Sequence, residues 1–185
     1  MKRWIPLKVG CALTLLCVGL TVLPGEAAEI SKDQTVRYIL AMVKAFRTTY
    51  VRHIVERMKK VGVQSKEGWI KDAHAIMLPF EFVSRGGAKI KQEVQGLDVG
   101  LISLTPIDPS NLPKTPAERE ALASMVADST RTVLTFGDGD QFKGLAADIV
   151  IEQHCADCHN QHPKSTKRDF KPGDVMGAIV VRLSQ

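Results

Sequence analysis

The sequence predicts an α+β domain in which a long N-terminal helix precedes an antiparallel sheet with helices on one of its faces. The first observation is an apolar stripe at three-, four- and seven-residue steps, which predicts a helix over residues 31–61. Ser31 and Gln34 provide a capping box at its start, and Gly62 follows its end. The second observation is a series of short alternating segments after residue 96, which is typical of strands. The stripe comprises Val36, Val43, Tyr50, Ile54, Met58 and Val61.

The remaining elements follow from local patterns. Residues 63–78 have no clear period, although Trp69 and Ile70 could begin a strand. Pro79 predicts the first turn of a short helix to about residue 94, and the pair Gly86-Gly87 inside it weakens that prediction. A second capping box with proline at the first helical position begins at Thr115. The other predicted elements are strands over 97–104, 132–136, 141–151 and 175–183, a helix over 116–127 and a hairpin turn at 137–140.

The N-terminus predicts a secretory signal peptide over residues 1–27. Three cations precede an apolar run over residues 9–23, and Gly25 and Ala27 are the small residues that a cleavage site requires. The run is shorter than the ~20 apolar residues of a typical membrane span, which disfavours a retained anchor. Removal of the segment takes away three basic residues and one acidic residue, so the net charge of +5 becomes +3. We therefore expect one exported, periplasmic or otherwise extracytoplasmic, soluble domain over residues 28–185, with no stable membrane span and no nucleic-acid partner.

A five-residue motif near the C-terminus carries the chemistry of the chain. Cys155-Ala156-Asp157-Cys158-His159 has the C-x-x-C-H spacing of haem c attachment. Thiols three residues apart can form thioethers with the two vinyl groups of one haem, and the next residue then offers an imidazole to the iron. The chain has four cysteines, and Cys11 and Cys17 would leave with the signal peptide. The sequence therefore predicts one haem c per chain, bound through Cys155 and Cys158, with His159 as the proximal iron ligand.

Two other interpretations of the motif use the same residues. A zinc site could draw on the thiols and imidazoles of His154, Cys155, Cys158, His159 and His162, but structural zinc usually takes a second pair of ligands from a distant segment. A thioredoxin-like redox pair would require a βαβ pattern around Cys155 and Cys158, and the sequence has none. Haem attachment is the favoured interpretation because the motif occurs together with a predicted export signal.

Three blocks of residues beyond the motif carry a family resemblance. The first block is C-terminal and adds to the motif His162-Pro163, Ser165, Asp169-Phe170, Gly173-Asp174-Val175 and Gly177. The second block is Ser103-Leu104-x-Pro106-Ile107-x-Pro109-x-Asn111-x-Pro113, with Glu118. The third block is Ile76-x-Leu78-Pro79. With these blocks the mature chain resembles a family of exported haem c domains with a PAS-like fold. Members occur as free cytochromes and as outer sensor domains of bacterial signalling proteins. The resemblance implies a PAS-like sheet with haem between the sheet and its helices.

The second axial ligand of the iron is where the sequence departs from this family. In some relatives that ligand is a cysteine on the N-terminal helix, and the predicted mature chain has no cysteine there. The candidates are His53, Met58, His74 and Met77, or an open position. His53 is the first choice for sixth ligand because it lies on the predicted helix beside the apolar stripe.

The leading functional interpretation is an exported monohaem cytochrome that transfers electrons to or from a redox partner protein. Cations after the motif (Lys164, Lys167 and Arg168) could guide an acidic partner. The alternative is a sensing module that binds a small gas ligand, or responds to redox state, and acts through a partner protein. An enzyme is not expected, because a distal acid–base pair beside an open iron is not legible in the sequence.

Overall fold

The computed structural model describes residues 29–184, and the predicted signal peptide lies outside this range. The long N-terminal helix is present as α1 (Lys32–Thr49), a π-helical segment (Tyr50–Val55) and α2 (Glu56–Lys59). Its capping box forms as predicted: the amide of Gln34 donates to Ser31 Oγ at 3.1 Å, and the amide of Ser31 donates to Gln34 Oε1 at 3.4 Å. The predicted long N-terminal helix is therefore confirmed, although it ends at Lys59, two residues before the predicted end at residue 61, and contains a π-helical segment in its second half.

The segment that follows the long helix differs from the sequence prediction. Strands β1 (Gln64–Ser65) and β2 (Ala75–Ile76) form a two-residue parallel pair. Trp69–Lys71 is a 3-10 helix, so the strand considered at Trp69 and Ile70 is wrong. Gly68 explains the difference, since its φ of 72° turns the chain through the left-handed region immediately before Trp69.

The main sheet has four antiparallel strands, which are β3 (Leu97–Ile102), β4 (Val133–Asp138), β5 (Gln141–Ile149) and β6 (Val175–Ser184). Their order across the sheet is β3-β6-β5-β4. The remaining helices are α3 (Pro79–Glu93), α4 (Pro116–Ala127) and α5 (Gln153–Gln161). The antiparallel α+β prediction is thus confirmed. Among residues 29–184, no helix has the length and apolar character needed to cross a membrane.

Helices cover both faces of this sheet, which corrects the expectation that they lie on one face. Alternate residues of β5 and β6 point to opposite sides because side chains in a strand alternate. Ala146 and Ile179 pack with Val36 and Leu40 of α1 on one side. On the other side Leu145 and Val180, among others, pack with Leu122 and Met125 of α4. The two central strands carry apolar side chains on both faces because both faces are buried. Their sequences therefore lack the alternation of apolar and polar residues that marks a single buried face, and the second layer of helices was not predicted.

Two glycines allow α1 and α3 to lie close to the sheet. A Cβ atom on Gly87 of α3 would collide with the carbonyl group of Val99, and one on Gly144 of β5 would collide with the side chain of Val36. The neighbouring Gly86, in contrast, has open space around it. The glycine pair that weakened the prediction of α3 therefore includes one residue that the packing requires.

Candidate functional site

The C-x-x-C-H motif lies on α5, which begins four residues after the end of β5. The sequence suggested only a connection between strands here. Residues three and four apart share one face of a helix, so α5 places Cys155, Cys158 and His159 side by side. The C-terminal end of α5 is held by Asn160, whose side chain donates to the carbonyl of Phe170 at 2.8 Å and accepts from its amide at 2.9 Å.

A small apolar cluster of its own supports α5. Ala156 is fully buried against Val150, Phe170 and Met176, and Cys155 packs at its edge. Beneath it, the pairing of β5 with β6 shifts register between Asp148 and Ile149. Irregularities of this kind bend a strand and often adjoin functional sites. The register shift thus lies at the end of β5, a few residues before the chain forms α5.

The two thiols and the imidazole of the motif are partly desolvated, and this shifts the pKa of each. Cys155 and Cys158 are both free thiols, Cys155 half-buried and Cys158 exposed. Desolvation raises the pKa of each thiol. Desolvation, followed by the charges of His162 and Arg47, lowers the pKa of His159, so the ring is neutral near pH 7 and its lone pair is available. Phe170 meets the His159 ring edge-on, with ring centroids 6.0 Å apart.

Two carboxylates engage the other histidines of this region. His154 Nδ1 lies 3.1 Å from Glu56 Oε1 on α2, and His162 Nε2 lies 3.7 Å from Glu67 Oε1 in the segment before the 3-10 helix. These contacts connect α5 to the end of the long helix and to residues 63–78. His159, the imidazole of the motif, has no carboxylate within 4 Å among the described residues.

The candidates for the sixth iron ligand lie on two segments. His53 is on the π-helical segment and is exposed, as is Met58 on α2. His74 is exposed just before β2, and Met77 is half-buried, lining an apolar groove of about 350 Å³ between α1 and α3. The carbonyl of Met77 accepts a hydrogen bond of 2.7 Å from the Tyr50 hydroxyl. π-Helical turns are frequent at functional sites, and the assignment of His53 stays a prediction.

Sequence reasoning missed a buried ion pair next to α5. Arg47, in the last turn of α1, is only 8% exposed, and its Nη2 lies 2.9 Å from Oδ1 of Asp148 at the end of β5. Its Nε is buried without a hydrogen-bond partner among the described residues. The guanidinium is close enough to contribute to the pKa of both Cys155 and His159. The sequence held one indication of this ion pair. Arg47 is seven positions after the buried Leu40, so it lies on the same, core-facing side of the helix, where a basic residue is unexpected.

The geometry separates the three interpretations of the motif. Within residues 29–184, no three His, Cys, Asp or Glu side chains come together as a zinc site would require. The main sheet is antiparallel, whereas a thioredoxin-like pair belongs beside a βαβ unit. The donor set of two free thiols and one neutral imidazole on a single helix face fits haem c. The unpartnered Nε of Arg47 is a further polar atom suited to a bound anionic or polarisable group.

Fold and site together define a class: an α+β domain whose thiol-bearing helix follows a central strand of an antiparallel sheet. The family described as Tll0287-like matches residues 26–184, and the chain belongs to this family. The crystal structure of the cyanobacterial haem protein Tll0287 matches with a TM-score of 0.60 and 14% sequence identity, over 84% of this chain and 98% of that one. No protein with a curated description matches the sequence. The resemblance inferred from the sequence blocks is confirmed, and the structural match establishes the fold.

Proposed function

We propose that this chain is an exported monohaem c-type cytochrome that transfers electrons. The observation that carries the proposal is the arrangement of Cys155, Cys158 and His159 on one face of α5, with both thiols free and the imidazole neutral. Membership of the Tll0287-like family supports it, because the solved structure that matches this chain is that of a haem protein. When bound, the haem iron would supply one-electron redox chemistry between its ferric and ferrous states.

The residues around α5 have separate tasks in this proposal. Cys155 and Cys158 hold the cofactor covalently, and His159 provides a neutral nitrogen donor to the iron. The edge-on contact with Phe170 and the packing of Ala156 fix the orientation of the helix that carries these groups. His154 and His162 lie near the carboxylates of Glu56 and Glu67, and in this proposal neither of them binds the iron.

The redox partner is proposed from the charges after the motif. Lys167 forms an ion pair with Asp169 and lies over the ring of Phe170, and Arg168 donates to the carbonyls of Asn160 and Pro163. Lys164 is exposed. Because these cations lie in the segment that directly follows α5, they favour a partner with an acidic surface.

Covalent attachment is tested by expressing the full chain in a host that matures c-type cytochromes. We expect the mass of the purified protein to include one haem, and we expect acidified acetone to leave the colour on the protein. Replacing Cys155 and Cys158 by serine should abolish this covalent attachment, because the hydroxyl does not form the thioether. A colourless product, or one from which acid–acetone extracts all haem from the parent protein, would end the proposal.

Sensing through an open coordination position is the second candidate, and the exposure of His53, Met58 and His74 favours it. Optical spectra of the ferric and ferrous protein, with and without carbon monoxide, separate the two. A low-spin spectrum that the gas does not change supports electron transfer. His53→Ala should then become at least partly high-spin and gain affinity for carbon monoxide, while His74→Ala should not. A parent protein that is already high-spin would put sensing first.

A further inference from the structure

The buried ion pair of Arg47 and Asp148 has a position that the fold alone does not explain. Arg47 comes from the last regular turn of α1, and Asp148 lies where the pairing of β5 with β6 shifts register, a few residues before α5. Their side chains are 10% and 12% exposed. The pair therefore includes a residue that closely precedes the helix that carries the motif, and it is largely shielded from solvent.

The contacts of this pair do not satisfy all of its buried polar atoms. Arg47 directs one nitrogen to Asp148, while its Nε is buried without a partner among the described residues. Lys44 from α1 acts on Asp148 together with Arg47. The pair in turn acts on α5: both of its charges affect the pKa of Cys155, and Arg47 affects the pKa of His159. Glu152, before α5, acts on the same thiol of Cys155. Burial raises the pKa of Asp148, although Arg47 and Lys44 oppose that rise.

We propose that Arg47 and Asp148 form an electrostatic pair that sets the reduction potential of the haem on α5, an inference that rests on the proposed function. The guanidinium lies close enough to affect the motif thiol and the axial imidazole, and the carboxylate affects the same thiol. Fixed charges act more strongly in a shielded, low-dielectric site than at the surface. The ferric haem carries one more positive charge than the ferrous haem. A neighbouring cation therefore disfavours the ferric state, and a neighbouring anion favours the ferric state.

The test is spectroelectrochemical titration of the holoprotein and of its charge variants between pH 5 and pH 9. Removing the positive charge in Arg47→Gln should move the redox equilibrium about tenfold toward the ferric state. That shift corresponds to a potential lower by 59 mV for a one-electron couple. Asp148→Asn removes the negative charge of the pair and should shift the equilibrium in the opposite direction, toward the ferrous state. Arg47→Lys keeps the charge and should retain most of the parent potential.

Asp33 and Arg37 provide a matched control at the other end of α1. They also form an ion pair, with 2.8 Å between Asp33 Oδ2 and Arg37 Nε, but both side chains are over 40% exposed. Solvent and salt screen such charges, so Asp33→Asn and Arg37→Gln should leave the potential within error of the parent. Shifts of equal size in the control variants would show a general charge effect and would overturn the assignment.

The signs of the shifts distinguish electrostatic tuning from a structural role. A variant that merely loosened α5 would expose the haem whichever partner was changed, so both single variants would shift the potential in the same direction. Shifts of one sign, or no shift in either variant, would refute the proposal. If Arg47→Gln does not accumulate, Asp148→Asn and the double variant decide, since the double variant should return toward the parent potential. The parent protein and each variant are first checked for one covalent haem, because a parent protein without haem would refute the proposed function and not this inference.

Discussion

Two buried charge clusters lie on opposite faces of the same sheet, and they are built differently. On the α4 side, both carboxylate oxygens of Glu118 accept hydrogen bonds: Oε1 from Lys143 Nζ at 2.9 Å and Arg182 Nε at 2.6 Å, and Oε2 from Arg182 Nη2 at 2.9 Å. The backbone amide of Lys114 adds a fourth donor at 2.8 Å. On the α1 side, Arg47 and Asp148 share one close contact, and a buried guanidinium nitrogen has no partner among the described residues.

The pKa values of the two carboxyl groups express this difference. Burial alone would raise the pKa of Glu118, yet the hydrogen bonds from Arg182 and Lys143 lower it to about 2. Burial raises the pKa of Asp148, and the charges of Arg47 and Lys44 do not cancel that effect. In a complete network, hydrogen bonds and ion pairs compensate for the free-energy cost of desolvating the charges. In an incomplete network part of that cost remains, and a bound group can change it. We therefore interpret the Glu118 network as structural and the Arg47–Asp148 pair as functional.

The largest expected effect tests the structural side. Glu118→Ala would leave Lys143 and Arg182 buried with less negative charge, and we expect it to lower the free energy of unfolding by about 3–5 kcal/mol. The matched control is Glu120→Ala on the same helix, which removes an exposed carboxylate and should change stability by less than about 0.5 kcal/mol. Urea unfolding followed by circular dichroism measures both. Equal, small effects would show that the Glu118 network contributes little to the fold.

The dependence of stability on pH should have opposite signs for the two carboxyl groups. The folded-state pKa of Glu118 is about 2, below its ordinary value of 4.5. Its contribution, about 3 kcal/mol, is therefore present above pH 4.5 and is lost as the pH falls through 2. The folded-state pKa of Asp148 is raised, so its contribution is present below its ordinary pKa of 3.8 and is lost as the pH rises through the folded value.

Unfolding curves from pH 2 to pH 8 check these signs. The stability of the parent should fall toward acid pH because of Glu118, and this part of the fall should be absent in Glu118→Gln. The stability of the parent should also fall toward neutral pH because of Asp148, and this part should be absent in Asp148→Asn. Asp148→Asn therefore compares more favourably with the parent at pH 7 than at pH 3. Parallel curves for Asp148→Asn and the parent would remove the distinction between the two clusters.

The smallest expected effect concerns how closely the α1–α3 side is packed. Gly87→Ala should destabilise the protein by about 1–3 kcal/mol, because the new methyl group meets the carbonyl of Val99 on β3. Gly86→Ala is the matched control one residue earlier. It has open space and should stabilise the helix by about 0.5–1 kcal/mol through its better helix propensity. Thermal unfolding should move in opposite directions for the two variants, and destabilisation by Gly86→Ala would contradict the packing described for α3.

Much of the fold could be predicted because its information is local. The capping box at Ser31, the proline at the start of α3 and the periodicity of the strands each involve residues close together in the chain. The types and approximate bounds of most elements were therefore predictable, as was the antiparallel sheet, whereas helix α5 was not predicted. The strand considered at Trp69 and Ile70 failed because a turn at Gly68 outweighed the apolar character of those two residues.

The candidate site divides in the same way. The spacing of Cys155, Cys158 and His159 is a property of the sequence, and it determined the proposed cofactor, its attachment and its proximal ligand before any fold was known. Arg47 and Asp148 are 101 residues apart, and neither belongs to a motif. Their pairing, the placement of α4 on the second face and the need for glycine at position 87 depend on long-range packing. Only the tertiary structure decided these features, because burial and pKa shifts arise from the distances between segments remote in sequence.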